Sequence, residues 1–391
     1  MAPAIMNEEA NGMGDKGPTL QTPYGMTLFV LSHRVVMAPM TRCRALNHVP
    51  QDSHVEYYSQ RATNGGLIIT EASAVAPEGF GFPNSPGIYT EEQIEAWRRV
   101  VSAVHKRGGI IFCQIWHVGR ASHIVYQPGQ LPPVSSTDHV LPENLSIQLP
   151  DGSYGKYSPP TALTTEQIPH IVEQFRRAAK NALLAGFDGV EIHGAHGYLI
   201  DQFSKNGIND RNDRYGGSIE NRCRFMLEVL KAVTEEIGES RTALRISPII
   251  DHLQATDSDP HALGMYMVEQ LNQFNLAYLH VTEPRFTAKG TVEFKGDCSW
   301  LRKAFKGTFV SSGGYDKEKG EIAVNSGYAD LVSYGRLFIS NPDLPLRFFN
   351  GVPLNPYDRS TFYTHDQVIG YTDYPAHSST LCLSNRKDSD F

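Results

Sequence analysis

Four short runs within the stretch from Ala243 to Gly335 decide how this chain is built: ALRISP at Ala243–Pro248, AYLHVT at Ala277–Thr282, GTFVSS at Gly307–Ser312 and ADLVSYG at Ala329–Gly335. Each is brief, apolar on both faces and rich in β-formers. Helical patterns separate them, at His261–Phe274 and, more weakly, at Leu301–Phe305 and Lys317–Asn325. Working outward, the same alternation recurs upstream, with strands expected at Arg34–Met40, Gly66–Glu71, Gly109–Trp116 and Gly189–Gly194 and helices at Thr90–Lys106, Thr164–Leu184 and Ile219–Ile237. Thr90 and Ser218 stand where N-caps are needed, and Gly108 and Gly186 follow last turns, where a left-handed residue closes a helix. Strands buried on both faces and joined by helical crossovers form a parallel sheet, and eight such units close into a barrel. An open doubly wound sheet is the rival, but neither G-x-G-x-x-G nor G-x-x-x-x-G-K-[ST] follows any strand. The pattern therefore predicts the α/β class and a single (β/α)8 TIM barrel.

The 391 residues would allow two or three domains by length, yet no linker or low-complexity break interrupts Thr22–Pro375. One barrel domain is expected over 21–375, after a lead-in at 1–20 read as disordered and before a polar tail at 376–391. The longest aperiodic stretch, Gly119–Thr161, holds seven prolines from Pro128 to Pro160. A loop of this length in a compact domain tends to be functional, so it is expected to cap the barrel mouth after strand 3. With 35 Lys and Arg against 42 Asp and Glu, the net charge of −7 argues against nucleic acid and anionic lipid as partners. Five scattered cysteines without a C-x-x-C pair fit a reducing compartment. No run of 18 apolar residues exists, Glu8, Glu9 and Asp15 stand where a secretory signal needs apolar residues, and Ser389-Asp390-Phe391 is no peroxisomal tripeptide. A cytoplasmic protein, monomeric or a weak homodimer, is expected.

In such barrels the C-terminal strand ends carry the chemistry. Strand 7 runs into Ser311-Ser312-Gly313-Gly314 and strand 8 into Tyr334-Gly335-Arg336. Small residues let backbone N–H groups approach a phosphate and Arg336 adds a charged fork, although glycines there also serve as plain turn residues. Strand 5 carries Arg245 and strand 3 carries Gln114 inside apolar runs. A buried guanidinium needs an anion or an electron-rich ring, and a buried amide needs partners on both sides, so the two suit a flat heterocycle with alternating donors and acceptors. The alternative is an internal ion pair with Glu71 or Glu191. Strand 4 ends in His193-Gly194-Ala195-His196-Gly197-Tyr198, which is not the helical H-E-x-x-H of a zinc site. Two imidazoles and a phenol there can cradle a carbonyl oxygen and supply a proton. No metal is implied.

These segments resemble the old yellow enzyme family of flavin-containing ene-reductases, within the NADH:flavin oxidoreductase/NADH oxidase family, and among its members the plant 12-oxophytodienoate reductases. The resemblance rests on Ala38-Pro-Met-Thr41, Gln114-Ile-Trp-His117-Val-Gly-Arg120, His193–Tyr198, Asn209–Gly217 and Asp330–Arg336, and extends from about Thr22 to Pro375. It implies FMN over the barrel mouth, with Pro39, Met40, Thr41, Ala72, Gln114 and Arg245 around the ring system and Gly314, Gly335 and Arg336 at the phosphate. It further implies that His193 and His196 hold a substrate carbonyl, that Tyr198 is the catalytic proton donor, that Arg285 faces the substrate, and that NADPH is the reductant. Phe82 and His252 resemble the pair found in wide-mouthed, jasmonate-type members, which favours 12-oxophytodienoate or a related oxylipin over a general role in clearing small reactive enones. The loop Thr287–Ser299 looks shorter than in many such members.

Two other classes compete. A flavin-free barrel aldolase or isomerase would want a Schiff-base lysine or metal carboxylates at the strand ends, and no lysine falls within the eight strands. A barrel that binds an oxylipin without turnover would share the same pocket. Visible absorbance separates the first from a flavoprotein, and NADPH oxidation with a cyclic enone separates the second.

Overall fold

Period-two alternation along the strands builds the molecule. A computed structural model describes residues 17–283 and 297–377. Its barrel strands are β1 (Val35–Met37), β2 (Leu67–Ile69), β3 (Ile110–Trp116), β4 (Gly189–Gly194), β5 (Thr242–Ile246), β6 (Leu279–Thr282), β7 (Phe309–Ser312) and β8 (Leu331–Tyr334). Each pairs in parallel with its neighbours, β8 returns to β1, and the pairing of β3 with β4 completes the ring. All eight expected strands are present, with ends trimmed by a few residues.

Along every strand one parity faces helices and the other faces the barrel axis. Val35 and Met37, Ile111 and Cys113, Leu244 and Ile246, and Leu279 and Val281 join the large cluster that includes the helices. The alternate residues Val36, Leu67, Ile69, Phe112, Ala243, Tyr278, Val310 and Leu331 form a separate buried cluster inside the ring. Met26 and Leu31 belong to that inner cluster. They lie on an antiparallel hairpin, Tyr24–Met26 with Phe29–Leu31, which plugs the N-terminal end of the barrel and was not foreseen.

Around the ring run α1 (Asp52–Arg61), α2 (Glu91–His105), α3 (Ile168–Leu184), α4 (Ile219–Ile237), α5 (Pro260–Leu271), α6 (Ser299–Ala304), α7 (Lys317–Asn325) and α8 (Leu344–Asn350). Thr90 and Ser218 cap α2 and α4 by accepting from Gln93 N and Asn221 N. The helix α1 escaped the sequence reading because its buried stripe is His54, Tyr57, Tyr58 and Arg61, which has helical spacing but little aliphatic content. Between β3 and α3 the chain forms two short 3-10 turns, Ile124–Tyr126 and Pro128–Gln130, and two-residue strand pairs, Val134–Ser135 with Thr161–Ala162 and Ile147–Gln148 with Tyr154–Gly155. Leu141, Tyr126, Leu145 and Tyr157 of this segment pack with Trp116 and Tyr198, which puts the expected cap on the barrel mouth.

Candidate active site

Following the inward parity upward, each strand exchanges apolar side chains for polar ones. Phe112 gives way to Gln114, Ala243 to Arg245, Tyr278 to His280 and Thr282, Val310 to Ser312, and Leu331 to Ser333. The result is two polar layers above an apolar floor.

Gln114 Nε2 donates at 2.7 Å to Oε1 of Glu191 in the lower layer, where His280 Nδ1 lies 2.9 Å from Glu191 Oε2 and His280 Nε2 lies 2.9 Å from Ser333 Oγ. All four residues are buried. Burial opposes ionisation of Glu191, but His280, Arg245 and the Gln114 amide outweigh it and hold the carboxyl below its usual range. Burial and then the Arg245 charge push the His280 imidazole down, so a neutral ring donates from Nδ1 and accepts the Ser333 hydroxyl on Nε2.

In the upper layer Arg245 donates through Nε to Thr282 Oγ1 at 3.1 Å and through Nη2 to Ser312 Oγ at 3.2 Å. No carboxylate pairs with it among the described residues. The internal ion pair weighed from the sequence is not formed, because Glu191 is taken by Gln114 and His280 while Glu71 accepts Arg42 N–H at 3.2 Å and the Tyr58 hydroxyl at 3.3 Å. A guanidinium held by two neutral hydroxyls keeps its charge for something else at the mouth.

Above this layer the turn after β4 assembles the aromatic groups. His196 and Gly197 both adopt positive φ, 60° and 74°. The turn is held by Ser247 Oγ on His196 N and by Asp201 on Gly197 N. It brings the His193 ring to 5.3 Å from His196 and 5.1 Å from Tyr198, both edge-on. Trp116 stacks between His193 and Phe82, at 6.1 and 5.8 Å, and meets Tyr198 edge-on at 4.9 Å. His193 Nδ1 accepts the Ala195 N–H at 3.3 Å, so its proton sits on Nε2. Thr282 Oγ1 accepts from Arg245 Nε and, at 3.3 Å, from Ser312 Oγ, which fills both of its acceptor sites and leaves its own proton for His196 Nε2 at 3.1 Å, so the His196 proton sits on Nδ1. Burial, then the Arg245 charge, drives both imidazoles well below their usual pKa, so both are neutral single donors. Burial raises the Tyr198 phenol far above its ordinary value, with Tyr157 and Tyr363 adding to the effect. It keeps its proton throughout the neutral range.

The remaining predicted residues lie on the same C-terminal rim. Gly314 is exposed with φ of 85°, and a Cβ placed there would come within 3.7 Å of Arg336 Nη2. A Cβ on Gly335 would meet Met40 Sδ at 3.3 Å. The turns after β7 and β8 therefore converge, with Arg336 at their junction and glycine where a Cβ would meet Arg336 or Met40. Pro39 and Thr41 follow β1 half-buried, and Ala72 follows β2 buried. They share no side-chain hydrogen bond with the Gln114–Arg245 layer among the described residues. His252 is exposed, with its ring 6.4 Å from His196. Arg285 and most of the loop Thr287–Ser299 lie outside the described residues. Sequence reading overlooked Thr282 and Ser312 as the supports of Arg245 and Trp116 as the central wall; parity along β3, β6 and β7 was the available signal.

This donor set fits FMN: an amide and a buried cation on one side, a Cβ-free cradle with an arginine on the other. Comparison with known proteins agrees. The sequence profile of the NADH:flavin oxidoreductase / NADH oxidase family matches residues 19–355. The chain belongs to this family. Among similar relatives, 12-oxophytodienoate reductase 7 of Oryza sativa subsp. japonica is 59% identical over 374 residues, covering 92% of this chain and 95% of that one. The 12-oxophytodienoate reductase 2 of Arabidopsis thaliana is 51% identical over 378 residues, covering 95% and 100%. Among solved structures, morphinone reductase superposes with a TM-score of 0.88 at 42% identity, covering 94% of this chain and 99% of the other. The Zymomonas mobilis old yellow enzyme homologue gives 0.87 at 39%, covering 92% and 99%. As a member of the NADH:flavin oxidoreductase family, the protein is an oxidoreductase on an old yellow enzyme barrel. No helix among its described residues is long and apolar enough to cross a membrane.

Proposed function

We propose that this oxidoreductase is an FMN-dependent ene-reductase that uses NADPH to reduce the C=C bond of an α,β-unsaturated ketone, with 12-oxophytodienoate or a related oxylipin as substrate. Gln114 and Arg245 would hold the ring system, beside Pro39, Met40, Thr41 and Ala72, and Gly314, Gly335 and Arg336 would hold the phosphate. The chemistry that bound FMN would supply is transfer of a hydride, received from the nicotinamide, to the β-carbon. The observation that carries the reading is the convergence of three neutral donors, His193, His196 and Tyr198, on one side of the cationic Arg245 layer.

His193 Nε2–H and His196 Nδ1–H are the pair that would hold the ketone oxygen and stabilise charge as it develops there. Both are single donors held in place by Ala195 N–H and Thr282, so no reorientation is required at the moment of reaction. Tyr198, fixed against Trp116 and His193 and fully protonated, would give its proton to the α-carbon from the side opposite the hydride, for net trans addition. Phe82, which stacks on Trp116, and the exposed His252, near His196, would border the cyclopentenone and its side chains. A nicotinamide reductant is supported by morphinone reductase, whose structure is known in complex with tetrahydroNAD.

The test is to load purified full-length protein with FMN and supply NADPH or NADH with each stereoisomer of 12-oxophytodienoate and with 2-cyclohexenone. Saturated ketone, formed faster with NADPH and with the oxylipin, is the expected result. A yellow protein that oxidises NADPH but leaves every enone intact would overturn the reading.

A further inference from the structure

One fully buried acid inside the barrel has no part in the scheme above. Glu191 lies on β4 two residues before His193, its carboxylate directed to the axis and fully buried. Its register partner on β3 is Gln114, and His193 is in register with Arg245 on β5. The carboxylate thus sits beneath the two side chains that would hold the flavin ring.

A carboxylate can only accept hydrogen bonds. Because Oε1 accepts a hydrogen bond from Gln114 at 2.7 Å and Oε2 accepts one from His280 at 2.9 Å, the Gln114 amide has a single allowed orientation. Its NH2 group turns down toward Glu191, and its carbonyl oxygen and second N–H are left for the mouth. Without a pure acceptor below it, the amide could flip and present its two ends the other way. The second consequence is electrostatic. Arg245 has no carboxylate partner in hydrogen-bond contact among the described residues, yet it and Glu191 act on each other through the buried interior. In that interior a charge one strand away is felt far more strongly than it would be in water.

We propose that Glu191 is a positioning residue for the flavin site: through Gln114 it fixes the orientation of the amide that meets the ring, and through its charge it offsets Arg245 and so lowers the flavin's reduction potential. This rests on the assignment of FMN to the Gln114–Arg245 layer. Reduced flavin carries negative charge, and a lone guanidinium beneath it would favour reduction more strongly than a guanidinium balanced by a carboxylate. His280 supports the device. It passes its second nitrogen to Ser333 on β8, which fixes the ring and ties the carboxylate to the far wall of the barrel.

Two variants separate the two roles. In Glu191→Gln the hydrogen bonds can be kept, since the new amide can accept from Gln114 and donate to His280 Nδ1 once the imidazole proton moves to Nε2; only the charge is lost. In Glu191→Leu both charge and acceptor are lost. The full-length chain, freed of flavin and titrated with FMN, gives the affinity by fluorescence quenching; equilibration with a reference dye gives the potential; thermal denaturation reports folding. Glu191→Gln is expected to bind FMN within about threefold of wild type while favouring the reduced form about tenfold more, which is about 30 mV upward for a two-electron couple. Glu191→Leu is expected to show the same upward shift together with at least tenfold weaker FMN binding. Variants that fold and melt lower, but whose affinity and potential equal those of wild type, would overturn the proposal and leave Glu191 a structural residue. Should Glu191→Leu fail to fold, Glu191→Gln decides alone, through its potential. If wild-type protein itself takes up no FMN, it is the assignment of the flavin that fails.

Discussion

Tyr198 concentrates the chemistry at the residue scale, because its surroundings permit one role and exclude another. Burial raises its pKa so far that it cannot act as a phenolate base in the neutral range, and its packing against Trp116 and His193 leaves it as a fixed proton source. Tyr198→Phe should therefore leave flavin reduction by NADPH unchanged in stopped-flow traces and slow the enone half-reaction by about 10² or more. Equal slowing of both halves would refute the assignment. The histidines make a complementary prediction. Since His193 and His196 are neutral donors held well below their usual pKa, and Tyr198 well above its own, none of the three titrates between pH 6 and 9. The enone half-reaction should show a plateau across that range, and a bell centred near 6.5 would mean that an imidazolium participates. Such residues were legible in the sequence because glycines flank them at a strand end. The partners that set their protonation were not: Thr282 and Ser312 are ordinary side chains until the register of β6 and β7 brings them to Arg245.

At the scale of elements, parity explains both what could be read and what could not. Apolar runs of the right length announced all eight strands, since burial on both faces leaves a strong compositional mark. The helix α1 left a weaker one: its inner face uses two tyrosines, a histidine and an arginine, and Arg61 spends its guanidinium on the carbonyls of Phe338 and Ile339. The polar ladder from Gln114 to Ser333 joins residues more than 200 positions apart, so only the closed ring reveals it. The turn after β7 was legible for the opposite reason, because a backbone at positive φ demands glycine; Gly335 after β8 has a negative φ and is explained instead by the close approach of Met40. Gly314→Val should test the first of these turns. The left-handed backbone costs a β-branched residue about 1–2 kcal/mol, and the new side chain would stand beside Arg336 where the phosphate is assigned. FMN affinity should fall at least tenfold, with loss of bound flavin on gel filtration. Retention of the wild-type flavin content would show that the phosphate lies elsewhere.

The whole molecule carries titratable groups whose burial sets how stability depends on pH. His33, His54 and His117 are buried, and burial lowers their pKa values from 6.5 to about 4, about 3 and about 4. Each is neutral in the fold and takes up a proton on unfolding anywhere between its folded value and 6.5. The unfolded chain then binds more protons, and stability rises with pH through that window. Glu71 has the opposite sign. Burial raises its pKa from 4.5 to about 7, so the fold holds a proton that the unfolded chain releases, and its contribution is lost as pH climbs from about 4.5 to 7. The contact of His54 Nε2 with Glu71 at 3.5 Å is thus a meeting of two neutral groups at mildly acidic pH. Glu71 also accepts Arg42 N–H directly after Thr41, while Arg42 and Arg44 bind the carbonyls of Phe362, Gly370 and Ile369 and so clamp the C-terminal segment over the barrel rim. His193, His196 and His280, likewise pushed down by burial, add to these three histidines, so wild-type protein should lose melting temperature steadily below about pH 6. Glu71→Gln, which keeps an acceptor for Arg42 but cannot ionise, should gain on wild type as pH rises from 5 to 8, by a free energy on the order of 3 kcal/mol in all. Parallel melting curves of the two proteins across that range would show that Glu71 ionises in the fold without penalty, and that the clamp on the rim does not depend on a neutral acid.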